Sequence, residues 1–195
     1  MSLFPLALPP GFRIATGLAG LPAELRGGAV AIGNFDGLHR GHRAVIAAAE
    51  QAARPAVALS FDPHPRHFFQ PERLFRRLSG RRERLALLAG SGLDGAVILP
   101  FDAQMASLSA ERFVADVLVG ALGAKAVAVG YNFHFGKGRE GSPEFLRDAA
   151  RRHGFAVTVV QPEEDDGPVS STNIRDLLGS GRVERANRLL GYRWF

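Results

Sequence analysis

The 195-residue chain contains no cysteine, which excludes disulfides, thiolate metal sites and cysteine nucleophiles and fits a reducing cytoplasm. Long apolar runs are missing too. The apolar start MSLFPLALPP lacks a basic flank and is broken by Pro5 and Pro9, and no run approaches membrane-spanning length. The expectation is a soluble, cytoplasmic protein with no membrane partner. Lysine is scarce: Lys125 and Lys137 stand alone among 24 basic residues, so the net charge of +5 rests on arginines, whose forked donors suit phosphate and carboxylate. Acidic small molecules are the expected partners. No nucleic acid is expected, because the densest basic stretch, residues 76–84 (RRLSGRRER), has no interleaved aromatics and matches no reader motif. That stretch reads as a solvated helix face. With 46% hydrophobic and 22% charged residues, the chain is long enough for one well-buried domain.

After an irregular Pro/Gly-rich stretch over residues 1–28, apolar runs alternate with amphipathic segments, the pattern of an α/β doubly wound parallel sheet. Strands are predicted near 29–33, 56–61, 95–100, 125–130 and 155–160. Ser109 opens one helix, with Phe113, Val114, Val117, Leu118 and Ala121 on its buried face. Ser142-Pro143-Glu144 opens another, which stops at Gly154. A last helix is predicted over 182–190. Ligands of such sheets sit beyond the carboxyl ends of the strands, and the unusual residues here follow strands: NFDG, FDPHP, FDAQ, YNFHFGKGREG and PEEDDGP. Residues 62–78 and 131–141 read as insertions on that face.

Three segments carry chemistry. In AVAIGNFDGLHRGH, residues 29–42, His39 and His42 fall on the first turn of a predicted helix, where imidazole N–H groups, free backbone N–H groups and the helix dipole all favour phosphate. Gly33 and Gly37 allow the sharp turn before it. A zinc pair is the rival reading, but there is neither an HExxH pattern nor a clear third ligand, and no metal site is predicted. In VSSTNIR, residues 169–175, one of Ser170, Ser171 and Thr172 suffices to cap a helix. The remaining hydroxyls with Arg175 make an anion site suited to a polyphosphate tail. The third segment, residues 136–141, spells GxGxxG after a strand and before a helix. Five residues separate strand end from first glycine, where a dinucleotide turn must be tight, so an oxidoreductase is not favoured. Phe133 and Phe135, with Phe68 and Phe69 of the other insertion, read either as a stacking wall for a flat ring or as local packing of long loops. The acidic run 163–166 reads as a solvated loop.

Taken together, GNFDGLHRGH, SFDPHPRHFF, GYNFHFGKGREG and SSTNIRDLLGSGRVERANRLLG, in this order, resemble the adenylyltransferase domain of the bacterial bifunctional riboflavin kinase/FAD synthetase family, from Ala29 to the last residue. The resemblance implies a Rossmann-like fold of the nucleotidyltransferase (HxGH) type and the reaction of ATP with FMN to give FAD and pyrophosphate, with Mg2+ accompanying ATP. It implies His39 and His42 as catalytic residues. Gly33, Asn34, Phe35, Asp36, Gly41, Ser171, Thr172 and Arg175 fall on the ATP side, and Pro63, Pro65, Phe69, Asn132, Phe135 and Arg139 on the flavin side. Asn132 stands where many relatives carry Asp. In the family a kinase domain follows the LLG helix. Here the chain ends at GYRWF and holds no PTAN sequence, so kinase activity is not predicted. The residues alone leave two rival functions: nucleotidyl transfer to another small phosphorylated acceptor, and a flavin- or nucleotide-binding module without turnover. Oligomeric state is not readable from the sequence.

Overall fold

A computed structural model describes residues 8–72, 76–163, 167 and 169–194. The apolar residues 1–7 and the acids Glu164, Asp165 and Asp166 lie outside that range. Six parallel strands form one sheet in the order β1 (Arg13–Thr16), β4 (Gly95–Pro100), β3 (Ala56–Asp62), β2 (Ala29–Ile32), β5 (Ala126–Gly130), β6 (Ala156–Val160). From β2 the chain winds outward to β3 and β4, then returns to place β5 on the other side of β2. That reversal opens a crevice beyond the carboxyl ends of β2 and β5, the standard place for a ligand in such sheets.

The central strands are buried along nearly their whole length, as continuous apolar runs require when helices cover both faces. Their alternation sorts residues by size. Val30, Ile32, Val57, Leu59, Val97, Leu99, Val127 and Val129 point to one face and form the larger core with Phe113, Val117, Leu118 and Leu146. Ala29, Ala31, Ala56, Ala58, Ala96, Ala126 and Ala128 point to the other, where Val45, Ile46 and Ala49 of α1 (Arg40–Ala52) pack. Small residues under α1 let it lie close on the sheet, which sets its N-terminus over the strand ends. Each fully buried Val, Leu or Ile contributes about 1.5–3 kcal/mol of transfer free energy, so this layer fixes α1 firmly.

Two expectations are corrected. The stretch 1–28 is not irregular throughout, because residues 13–16 pair with β4 as an edge strand. RIAT has no strong pattern of its own and becomes a strand through its neighbour. The helix opened by Ser109, α5 (Ala110–Arg112), continues as a π-helix over Phe113–Ala121. The hydroxyl of Ser109 accepts from the Arg112 N–H as predicted. The wider turn keeps Phe113, Val114, Val117 and Leu118 inside but replaces Ala121, which is half-buried, with Leu122. The remaining helices are α2 (Pro65–Phe69), α3 (Arg81–Ala89), α4 (Ala103–Ser107), α6 (Pro143–His153), α7 (Ser171–Gly179) and α8 (Val183–Leu190). α6 has the predicted Ser142 cap, first-turn Pro143 and left-handed Gly154 stop. No helix among the described residues is long and apolar enough to cross a membrane.

Candidate active site

A cavity of about 940 Å³ opens at the crevice. Every candidate residue from the sequence lines it except Asp36 and Pro63. The turn after β2 supplies Gly33, Asn34 and Phe35, α1 supplies Gly41 and His42, and α7 supplies Ser171, Thr172 and Arg175. The paired-histidine turn and the hydroxyl-guanidinium turn, some 130 residues apart in sequence, therefore meet at one place.

The first turn is built under strain. Phe35 and Leu38 adopt left-handed backbone (φ 50° and 36°) although neither is glycine, and both are buried, so packing holds what local preference opposes. Gly37 (φ 79°) takes the position between them. His39 caps α1: its Nδ1 accepts from the His42 backbone N–H at 3.3 Å, which assigns the proton of the neutral ring to Nε2. The His39 and His42 rings stack with centroids 3.6 Å apart, and Phe35 meets His42 edge-on. Burial pushes His39 down to about 4 despite the opposing pull of Asp36, and pushes His42 well below the ordinary imidazole value. Both rings are thus neutral near pH 7, each with one N–H to give. The Nδ1 of His42 is buried without a hydrogen-bond partner among the described residues, an orphan that an incoming ligand can satisfy.

Asp36 does not face the cavity. It is 3% exposed, and its carboxylate accepts from the backbone N–H groups of Leu78 and Ser79 and from the Arg175 guanidinium. Its own carbonyl accepts from the Ser171 hydroxyl at 3.0 Å. Asp36, expected on the ATP side, is thus engaged within the protein and ties the first turn, loop 76–79 and α7 together. Arg175 also donates through Nε to the Arg76 carbonyl, 2.8 Å. Ser170 is the cap of α7, accepting from the Asn173 N–H, which leaves Ser171 and Thr172 on the cavity wall.

The other half of the cavity is aromatic. Pro65, Phe69, Asn132, Phe135 and Arg139 line it, as do Phe61, Phe101 and Phe133. Pro63 is exposed and lies off the lining, because α2 begins at Pro65 and turns the chain inward only there. Both readings of the aromatics hold in part. Phe135 is buried against Phe113 and Phe145, while Phe69 is 63% exposed at the mouth. Loop 131–141 is no dinucleotide turn. It closes on itself through a bridge between Phe135 and Gly141, and is pinned by the Glu140 carboxylate, which accepts from the Ala110 N–H at 2.7 Å. A side chain at Gly136 would meet the Ala110 backbone at 2.6 Å.

Four features escaped sequence reading. His64 lines the cavity as cap of α2, its Nδ1 accepting from the Arg66 N–H, and burial pushes it down to about 4. Its setting between two prolines after a strand was the available signal. Arg84 corrects the solvated-face reading of residues 76–84, for it is buried on the inner side of α3. Beyond α8, the Tyr192 hydroxyl donates to the Gly37 carbonyl at 2.8 Å and the Trp194 indole N–H to the Leu78 carbonyl at 3.0 Å, so the end of the chain grips the same turn. Glu163, expected in a solvated loop, pairs with Arg40 at 2.6 Å on the cavity rim.

A doubly wound parallel sheet with two helix N-termini and a histidine pair converging on one cavity defines an α/β protein of the nucleotidyltransferase-like class. The chain belongs to the FAD synthetase family, whose sequence profile matches residues 21–173. It is 41% identical over 184 residues to a bifunctional riboflavin kinase/FMN adenylyltransferase of Pseudomonas fluorescens, covering 92% of this chain and 59% of that protein. It is 33% identical over 177 residues to an FAD synthetase of Listeria monocytogenes, covering 88% and 72%. A crystal structure described as a macrolide-efflux protein from Streptococcus pneumoniae superposes with a TM-score of 0.81 at 30% identity, covering 93% of this chain and 60% of that one. The chain thus spans less than two thirds of the bifunctional relative.

Proposed function

We propose that the protein is an FMN adenylyltransferase, transferring AMP from ATP to FMN to give FAD and pyrophosphate. The observation that carries this reading is the convergence of the His39/His42 turn and the Ser171/Thr172/Arg175 turn on one cavity whose far half is walled by aromatics. One end suits a triphosphate, the other a planar ring.

In this reading an FMN phosphate oxygen attacks the α-phosphorus of ATP in line, the bond to the β-phosphate oxygen breaks, and pyrophosphate leaves. Phosphate is already a competent nucleophile, so the obstacle is gathering anions. Two unit charges ~4 Å apart repel by roughly 4 kcal/mol at an effective dielectric near 20. His39 and His42 give N–H groups to the α-phosphate and the leaving group, and as charge accumulates there their depressed proton affinity rises. Ser171, Thr172 and the α7 N-terminus hold the distal phosphates, with Arg175 at their side. Pro65, Phe69 and Phe133 flank the ring, and Asn132 and Arg139 supply its polar contacts. Magnesium would accompany ATP, with Asp36 and Glu163 each ion-paired within the protein. The cation screens the phosphates when bound.

Incubating the protein with ATP, Mg2+ and FMN and separating the flavins by chromatography tests the proposal. FAD formation is expected. FMN recovered unchanged, with an adenylylated product formed only from another phosphorylated acceptor, overturns it in favour of a different transferase, and retention without turnover in favour of a binding module.

A further inference from the structure

Arg84 is a buried cation with too little around it. Its neighbours Arg81 and Arg82 on α3 are exposed, yet Arg84 is 3% exposed. Its Nη1 donates to the Phe61 carbonyl at 3.1 Å and the Asn34 carbonyl at 3.3 Å, at the cavity ends of β3 and β2. The Asn34 carbonyl also accepts from the Ser60 hydroxyl. Nε and Nη2 of Arg84 have no hydrogen-bond partner among the described residues. The nearest carboxylate, Asp62, lies 3.7 Å from Nη2 and is already engaged by Arg77 at 3.0 Å. A guanidinium withdrawn from water and half-compensated opposes folding. An apolar residue would fill the position at less cost, so the charge itself needs an explanation.

That charge reaches the cavity. His64, on the wall, has its proton affinity lowered chiefly by burial; Asp36 opposes this, and Arg175, Arg77 and Arg84 add to it. Arg84 also holds the Asn34 carbonyl, inside Gly33–Phe35, and the Phe61 carbonyl of β3, and Gly33–Phe35 is the segment against which a phosphate would lie. We propose that Arg84 is a positioning residue for the anionic substrates: from beneath, it holds the ends of β2 and β3 in register and supplies buried positive charge that the phosphates, and not the protein, neutralise.

The inference rests on the phosphate-binding reading of the cavity, so the probe is inorganic pyrophosphate, whose binding needs no turnover. In calorimetric titrations with Mg2+ present, Arg84→Gln, which keeps a donor for one carbonyl but removes the charge, is expected to bind pyrophosphate about tenfold more weakly. KM for ATP should rise in parallel and kcat change less. The affinity should depend less steeply on salt than in the parent. Arg84→Lys, which restores charge, should return pyrophosphate affinity to within about threefold of the parent. Asp62→Asn tests the same charge from its other side: with its counter-charge removed, pyrophosphate should bind more tightly. This variant decides the matter if the Gln protein does not melt cooperatively. Unchanged pyrophosphate affinity in folded Arg84→Gln, no rescue by Lys, or weaker or unchanged binding in Asp62→Asn overturns the inference while leaving the proposed function standing. A parent that binds no pyrophosphate overturns both.

Discussion

The two halves of the cavity are built by opposite rules. At the end proposed for phosphate, several polar groups are engaged within the protein: Asp36 bonds to two backbone N–H groups and Arg175, His39 caps α1, and Tyr192 and Trp194 fasten Gly37 and Leu78. At the ring end the lining is aromatic, and Phe69 and Tyr131 stand exposed at or near the mouth. On the proposed function, the contrast follows from what each end would do. Stabilising developing charge requires dipoles that do not reorganise during reaction, whereas gripping a flat ring requires apolar faces that can close upon it.

The comparison predicts where substitutions hurt, and how. His42→Ala should leave substrate affinity little changed but lower kcat about a hundredfold to a thousandfold, as expected for a lost transition-state donor. Steady-state kinetics at saturating ATP and FMN measures this, and parent-level turnover would remove His42 from catalysis. Asp36→Asn should raise KM for ATP about tenfold through Arg175. Because Asp36 is held to act through that guanidinium, the same change in an Arg175→Ala background should add little. Full additivity in the double-mutant cycle would show that Asp36 acts independently. At the opposite end, Phe69→Ala should raise KM for FMN about two- to tenfold, the worth of one aromatic face, with kcat within about twofold. A matching fall in kcat would mean that the ring end, too, is preorganised.

The smallest effect expected is on stability. Unfolded, His39 and His64 titrate near 6.5; folded, they are held near 4. Between those values the unfolded chain binds protons that the folded chain refuses, so their contribution is complete above pH 6.5 and is lost as pH falls toward 4. Melting temperatures should therefore decline between pH 7 and pH 5, and His64→Asn, which can still cap α2 through its amide oxygen, should flatten the decline. An unaltered slope would exclude His64 as a contributor.

Most of the sheet was legible because interior parallel strands, covered on both faces, must be unbroken apolar runs, and AVAI, AVALSFD and AVAVG are such runs. β1 was not, since RIAT becomes a strand only by lying beside β4. The π-helical turn was hidden because its spacing is set by packing against the sheet. Both turns of the cavity's polar end were visible as motifs, but the motif could not say that the Asp36 carboxylate is taken up by Leu78, Ser79 and Arg175. Arg84 was invisible for a related reason: in RRER nothing local distinguishes the arginine that goes inside from the two that do not.

The contact between Trp194 and the Leu78 carbonyl has a practical consequence. The chain carries a single tryptophan, so its intrinsic fluorescence comes from one half-exposed indole bonded to the loop that holds Asp36. If the cavity takes a nucleotide as proposed, a change in emission on adding it is the expected, label-free signature.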